Sequence, residues 1–320
     1  MQEYEKLRRC ESDSIVQQRD AFVFVNCPAC NSSNYKFKFS KDKFEFVVCS
    51  NCETLFVNPR PTFEMLVSFY EKSFCLKYWN DYIYPASEEV RRKNIFAPRA
   101  LRVVDLCKKY NLKKNVIVDV GAGYGTFLEE INKIGYFESS LAIEPSQSLF
   151  NTCIKKGIDA INEPVENVDL KNANVVTSFE LIEHLFDPSK FLIACHRLLT
   201  DGGLLIVTTP NIKGFDLFLL GEKSKNVTAP NHINYFNIKS LSILLEKVGF
   251  EIVENLTPGQ IDLDIVRNAI LRGDVTFQEN CFLNALLSGD DSIIRDNFQK
   301  FLIENKLSSH LWIVARKICS

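Results

Sequence analysis

The sequence predicts an α/β fold: a mostly parallel sheet with helices on both faces, preceded by a small cysteine-bearing β unit. Three observations carry this. Short apolar runs alternate with helical periods from residue 115 onward. The first run, Val-Ile-Val-Asp-Val at 116–120, leads straight into Gly-Ala-Gly-Tyr-Gly at 121–125. Finally, 320 residues that are 46% hydrophobic and 24% charged can bury a full core and still leave room for a smaller appendage.

Residues 1–20 are charged and lack the apolar centre of a signal peptide. No stretch approaches the roughly eighteen apolar residues of a membrane span, so a soluble, cytoplasmic protein is expected. Residues 22–25, 35–39 and 44–48 read as short aromatic strands between cysteine turns, and Asn58-Pro59-Arg60-Pro61 closes the unit. A leader and ribbon over 1–61 is therefore expected. Residues 62–112, with Phe69, Tyr70, Tyr78 and Trp79, read as a helical connector that covers the larger domain.

Residues 113–320 carry the sheet. Strands are expected at 116–120, 140–143, 173–178 and 204–208, with helices at 126–135, 146–157 and 188–199 between them. A helix at 238–248 leads into a strand at 251–256. An insertion of two helices follows at about 270–309, the second with Ile294, Phe298, Phe301 and Leu302 on one face. A last strand at 310–315 returns as a hairpin partner.

The formal net charge of -2 gives no global pull toward nucleic acid, and no long Lys/Arg stripe is present. Of the eleven cysteines, four form two Cys-x-x-Cys pairs, Cys27/Cys30 and Cys49/Cys52, separated by eighteen residues. Two tight turns holding two thiolates each suit one tetrahedral zinc. With all four ligand positions filled by protein, its role is structural. Asn31 and Glu53 follow the knuckles where such turns favour glycine; asparagine accepts a left-handed backbone readily and glutamate less so. The remaining cysteines, Cys10, Cys75, Cys107, Cys153, Cys195, Cys281 and Cys319, sit among apolar neighbours and read as reduced thiols.

The strand-to-glycine turn brings bare backbone against a ligand at Gly121, Gly123 and Gly125. The nicotinamide fingerprint wants a further glycine where this chain has Thr126. Asp119 precedes the first glycine by two, and a carboxylate there suits a ligand with an ammonium and no pyrophosphate. That describes S-adenosylmethionine better than NAD. Glu144, at the tip of the second strand, is placed to accept ribose hydroxyls, to cap the helix starting near Pro145, or both.

The ordered set Val-Asp-Val-Gly-Ala-Gly-Tyr-Gly, Ala-Ile-Glu-Pro, Phe-Glu-Leu-Ile-Glu-His and Leu-Leu-Thr-Asp-Gly-Gly-Leu-Leu-Ile-Val-Thr-Thr-Pro-Asn resembles class I S-adenosylmethionine-dependent methyltransferases over roughly residues 98–255. The resemblance implies a Rossmann-like, mostly parallel seven-stranded sheet. It places Asp119, Gly121, Gly123 and Gly125 around the methionine part, Glu144 on the ribose, and Phe179 and Glu180 beside the adenosyl and methyl region. Asp201 stands where the family more often has proline before glycine.

Glu180, Glu183 and His184 would share one side if a helical turn began at Glu180. The cluster resembles that of ubiquinone-pathway O-methyltransferases and small-RNA 2'-O-methyltransferases. The resemblance implies a divalent site, for Mg²⁺ or a similar ion, on Glu180, Glu183, His184 and a later histidine, here His232. The residues themselves equally allow His184 or His232 as a general base oriented by Glu180 or Glu183. His310 is a weaker candidate, and His196 reads as a packing or surface residue. The connection 212–231 is suited to be a lid over the acceptor.

A zinc ribbon before such a domain resembles bacterial enzymes acting on nucleotide-linked sugars and surface-polysaccharide intermediates. A small-molecule acceptor methylated on a hydroxyl is thus expected. RNA is the alternative, and sugar C-methylation a further one, although those enzymes carry an extra C-terminal domain for which this chain leaves no room. A non-catalytic scaffold is disfavoured by the intact Asp119, glycine loop and Glu144.

Overall fold

The computed structural model describes residues 2–277, 279–288 and 292–318. Cys319 lies outside them. The order is α1 (Gln2–Val16), β1 (Tyr35–Lys41), β2 (Phe44–Cys49), β3 (Leu55–Val57), α2 (Phe63–Lys72), α3 (Phe74–Tyr78), α4 (Tyr84–Arg91), α5 (Ala97–Lys109), β4 (Val116–Val120), α6 (Thr126–Ile134), β5 (Ser139–Ile143), α7 (Gln147–Lys155), β6 (Ala160–Ile161), β7 (Ala173–Phe179), α8 (Pro188–Leu198), β8 (Leu199–Pro210), α9 (Phe215–Leu220), β9 (Asn234–Tyr235), α10 (Ile238–Lys247), β10 (Phe250–Leu256), α11 (Asp262–Leu271), α12 (Cys281–Ser288), α13 (Ser292–Glu304) and β11 (His310–Lys317).

Seven strands form the main sheet in the order β10-β11-β8-β7-β4-β5-β6. Neighbours among β8, β7, β4, β5 and β6 are parallel, and β11 is antiparallel to both β10 and β8. The period of two along each strand divides the core. Ile117, Leu204, Ile206 and Trp312 pack with Val103, Val104 and Phe127 on one face. Val118, Val120, Leu205, Val207 and Ile313 pack with Phe191, Leu241 and Leu245 on the other. α5 buries Ala100, Val103, Val104 and Cys107, spaced as a helix stripe, and Pro98 opens it where its missing N–H costs nothing.

The second sheet has the order β1-β2-β3-β9. Its last strand comes from far along the chain, Phe56 pairing with Asn234 and Leu55 with Tyr235. The strand expected at 22–25 is instead a single bridge between Val23 and Arg60, and the third local strand is β3. The polar leader forms α1, held by polar contacts such as Ser12 Oγ to the Ala229 carbonyl at 3.1 Å. The stretch expected at about 270–309 carries two helices among the described residues, α12 and α13, and α11 precedes them; the three pack with α9 around Leu220, Val266, Leu287 and Leu302. Among the described residues no helix is long and apolar enough to cross a membrane.

Candidate active site

The parallel strands β4, β5, β7 and β8 end at one rim, and antiparallel β11 begins there, His310 pairing with Pro210. Ligands of such sheets lie outside this rim. The glycine turn after β4 is left-handed three times, with φ of 74° at Gly121, 57° at Gly123 and 69° at Gly125. A Cβ at Gly121 would meet Leu181 Cδ2 at 2.7 Å, and one at Gly125 would meet Ile158 Cδ1 at 2.4 Å. At Gly123 it would meet nothing within 4 Å, so this backbone faces open space.

Asp119 is buried at the end of β4, accepting from Thr177 Oγ1 at 2.7 Å. Burial pushes its carboxyl up to about 7, against the Thr177 bond and the charge of Arg99. Glu144 accepts from the Gly123 N–H at 2.8 Å and the Ser146 N–H at 2.9 Å, so it braces the glycine turn and holds the residue before α7 without capping that helix.

Helices α4 and α5 roof this rim. Tyr84 stacks on Tyr124 with centroids 3.4 Å apart, and Tyr124 donates its hydroxyl to Asn80 at 2.6 Å. Arg99 stands 4.8 Å over the Phe179 ring and 3.4 Å from Glu180 Oε1. Sequence reasoning missed Arg99, because only the packing of α5 across the sheet brings it to the rim.

Glu180 has φ of 54° and lies outside the 3-10 turn Ile182–His184, so the expected helical turn carrying Glu180, Glu183 and His184 on one side does not form. Its carboxylate accepts from Thr208 Oγ1 at 2.6 Å and meets His310 Nε2 at 3.0 Å. Burial opposes its charge, but His310 and Arg99 hold the carboxyl below the usual range, and Glu180 in turn raises His310. His310, the weaker candidate on sequence, thus has a defined carboxylate partner.

Glu183, His184 and His232 converge instead, with one donor atom of each within 4.8 Å of the others; Glu180 is not among them. His184 Nδ1 lies 2.7 Å from the Asn231 carbonyl and His232 Nδ1 3.0 Å from that of Asn226. A carbonyl only accepts, so both Nδ1 atoms carry the proton and both Nε2 atoms present lone pairs. Glu183 Oε2 accepts from Thr209 at 2.8 Å, whereas Oε1 is buried without a hydrogen-bond partner and lies 3.9 Å from His184 Nε2. Burial and the charge of Glu180 push Glu183 up to about 8, and burial with His184 nearby pushes His232 down to about 3. An orphaned carboxylate oxygen beside two imidazoles fits a cation. Two imidazoles with one carboxylate suit a transition ion better than the Mg²⁺ expected from sequence, whose ligands are oxygens.

In the ribbon, Cys27, Cys30, Cys49 and Cys52 gather their sulfurs within 4.8 Å, with Cys27–Cys52 and Cys30–Cys49 both at 3.5 Å. Zn–S bonds of about 2.3 Å give tetrahedral edges of about 3.8 Å, so the four thiols fit that ion. Asn31 and Glu53 both take the left-handed backbone the knuckle turns demand, at φ of 63° and 62°. The 212–231 connection is fastened rather than free: Lys41 Nζ donates to the Ser224 carbonyl at 2.7 Å, and the segment runs into β9 of the ribbon sheet.

A family described as a methyltransferase domain matches residues 90–255, more than half of the chain. An S-adenosylmethionine-dependent methyltransferase of Mycolicibacterium smegmatis is 35% identical over 85 residues, 27% of this chain and 31% of that protein. The ubiquinone biosynthesis O-methyltransferase of Methylococcus capsulatus is 29% identical over 140 residues, 40% of this chain and 58% of that protein. The chain thus spans between about a third and just under three-fifths of these relatives. Among solved structures, the Haloferax volcanii complex between the Trm112 methyltransferase activator and a methyltransferase contains a similar chain, with a TM-score of 0.51 at 12% identity, covering 76% of this chain and 97% of that one. That likeness is one of fold.

Proposed function

The chain belongs to the methyltransferase-domain family, and on that premise we propose that it binds S-adenosylmethionine at the rim of β4 and β5 and transfers the methyl group to a hydroxyl of a small molecule. The observation that carries the reading is the open left-handed turn at Gly123 between two buried acids, Asp119 and Glu144. Asp119 meets the ammonium of the methionine moiety, and Arg99 is the nearby half-buried cation for its carboxylate. Glu144 takes the ribose, and Phe179 lies against the adenosyl group. Zinc on Cys27, Cys30, Cys49 and Cys52 holds the ribbon together.

Transfer is an in-line displacement. The acceptor oxygen attacks the methyl carbon, the C–S bond breaks, sulfur keeps the electron pair, and the acceptor proton must leave. We assign the proton to His310, whose ring Glu180 orients. Glu183, His184 and His232 would hold a divalent transition ion, which when bound supplies Lewis-acid polarisation of the acceptor oxygen. The three side chains fix where that oxygen sits relative to the methyl group.

The acceptor we favour is a sugar or nucleotide-linked intermediate, supported by the balanced charge of the chain and by the oxygen acceptor named for its ubiquinone-pathway relatives. Calorimetry with S-adenosylhomocysteine tests the donor site, and absence of binding removes the whole reading. Labelled S-adenosylmethionine offered with pooled nucleotide sugars and, separately, pooled RNA tests the acceptor. Label appearing in RNA alone overturns the small-molecule assignment.

A further inference from the structure

Arg60 closes the ribbon, its N–H and carbonyl both bonded to Val23. Its side chain is fully buried, between the rings of Phe56 at 5.8 Å and Phe186 at 5.9 Å. All three of its hydrogen bonds go to uncharged oxygens: Nε to Val57 O at 3.2 Å, Nη1 to Phe186 O at 3.3 Å and Nη2 to Asn234 Oδ1 at 3.1 Å. A guanidinium buried with only neutral partners is costly unless fixed negative charge lies close by. Cys27 and Asp187 are the groups whose charge favours it. Four thiolates around one Zn²⁺ carry a net negative charge, so the loaded ribbon supplies part of that compensation.

The far end of the link is Asn234. Its Nδ2 donates to Leu185 O at 2.7 Å, while the neighbouring Ile233 N–H donates to Glu183 O at 3.0 Å and the Val57 N–H to Ile233 O at 3.0 Å. Arg60 therefore grips both strips of chain that bear the triad: Glu183-His184-Leu185-Phe186 directly through Phe186, and His232-Ile233-Asn234 through Asn234. The spacing of the two imidazoles and the carboxylate depends on how these strips lie together. The two strips also meet directly, through the Ile233 N–H on Glu183 O at 3.0 Å and His184 Nδ1 on Asn231 O at 2.7 Å; the guanidinium fork and the Asn234 amide add the links that run on to the ribbon.

We propose that Arg60, acting through Asn234, is a positioning residue that sets the spacing of Glu183, His184 and His232, and so couples the cysteine unit to the acceptor side of the active site. The inference rests on the reading of those three residues as an ion site.

The test uses the full zinc-loaded chain with Mn²⁺ as the probe, followed by electron paramagnetic resonance. Wild-type protein is expected to bind one Mn²⁺ that Glu183→Gln removes. Arg60→Met keeps length and apolar contacts but removes the fork, and should weaken Mn²⁺ binding by about 10- to 100-fold, as loss of residues supporting metal ligands does elsewhere. Zinc content and S-adenosylhomocysteine affinity should stay at wild-type values, and Arg60→Lys should recover only part of the loss. Asn234→Ala, which leaves the ribbon cation in place, should reproduce the defect.

Histidine-ring NMR gives a second readout that needs no metal. The chain has four histidines, and both variants should move the His184 and His232 signals while leaving His196 and His310. Wild-type Mn²⁺ affinity and unshifted rings in Asn234→Ala overturn the coupling, whatever Arg60→Met does. A wild-type protein that binds no Mn²⁺ but whose variants shift those two rings overturns the ion reading alone and upholds the positioning role.

Discussion

Asp119 shows how one residue ties binding to stability. Its folded-state pKa stands at about 7, raised first by burial, well above the roughly 3.9 of an unfolded aspartate. A raised acid contributes stability below its unfolded pKa that is lost as pH rises through the folded value. The free protein should therefore lose stability between about pH 4 and pH 7 on this account, and Glu183, raised to about 8, extends the loss upward. Ligand binding runs the other way: an ammonium favours the carboxylate, so donor affinity should weaken as pH falls below about 7. Asp119→Asn separates the two. It should abolish S-adenosylhomocysteine binding in calorimetry yet raise the stability of the ligand-free protein at pH 8 by roughly 1–3 kcal/mol, seen as a higher thermal midpoint. A variant that binds normally removes Asp119 from the donor site. At the reacting end, His310→Ala should leave donor affinity unchanged and slow transfer by about 10²- to 10⁴-fold; an unchanged rate would return the base assignment to His184.

The turn from β4 into α6 makes two neighbouring glycines answer differently. At Gly125, φ of 69° and an added Cβ 2.4 Å from Ile158 Cδ1 mean that Gly125→Ala strains the backbone and pushes β6's neighbours outward, costing roughly 1–3 kcal/mol. At Gly123 the protein offers no clash, so Gly123→Val pays only the left-handed strain but fills space the donor needs. Thermal melts should drop mainly for the first, and S-adenosylhomocysteine titration should fail mainly for the second. This element was legible because a five-residue apolar strand and three glycines are adjacent in the chain, and so were Asp119 and Glu144. The leader helix was hidden because it is polar on most sides: it docks through Ser12 and Arg8 together with a few scattered apolar residues, Tyr4, Ile15 and Val16. Two-residue β6 leaves no period to detect. The pairing of β3 with β9, the approach of Arg99 from α5 and the meeting of Glu180 with His310 depend on closure across more than eighty residues, for which spacing carries no signal.

Across the whole molecule, the ribbon is woven into the larger fold rather than appended to it. β9 completes its sheet, Asn237 donates to the Cys52 carbonyl at 3.0 Å while capping α10, and Cys27, Cys49 and Cys52 share a core with Val118, Phe191 and Leu244. The turn after β4 has further support that the ribbon does not touch, from α5 and α6 on the opposite face of the sheet and from Tyr84 of α4 on Tyr124. Losing the metal should therefore be felt unequally. Cys27→Ser removes one of four thiolates and should release zinc and lower the thermal midpoint by several degrees, since part of the metal's binding energy is folding energy. S-adenosylhomocysteine affinity should hold within about twofold if the two regions are energetically independent. Transfer should nonetheless fall, because the strips bearing Glu183, His184 and His232 lose the anchor at Arg60. Should donor affinity fall in step with zinc content, the ribbon would be a support for the entire sheet, and its influence on the acceptor side would have no separate meaning.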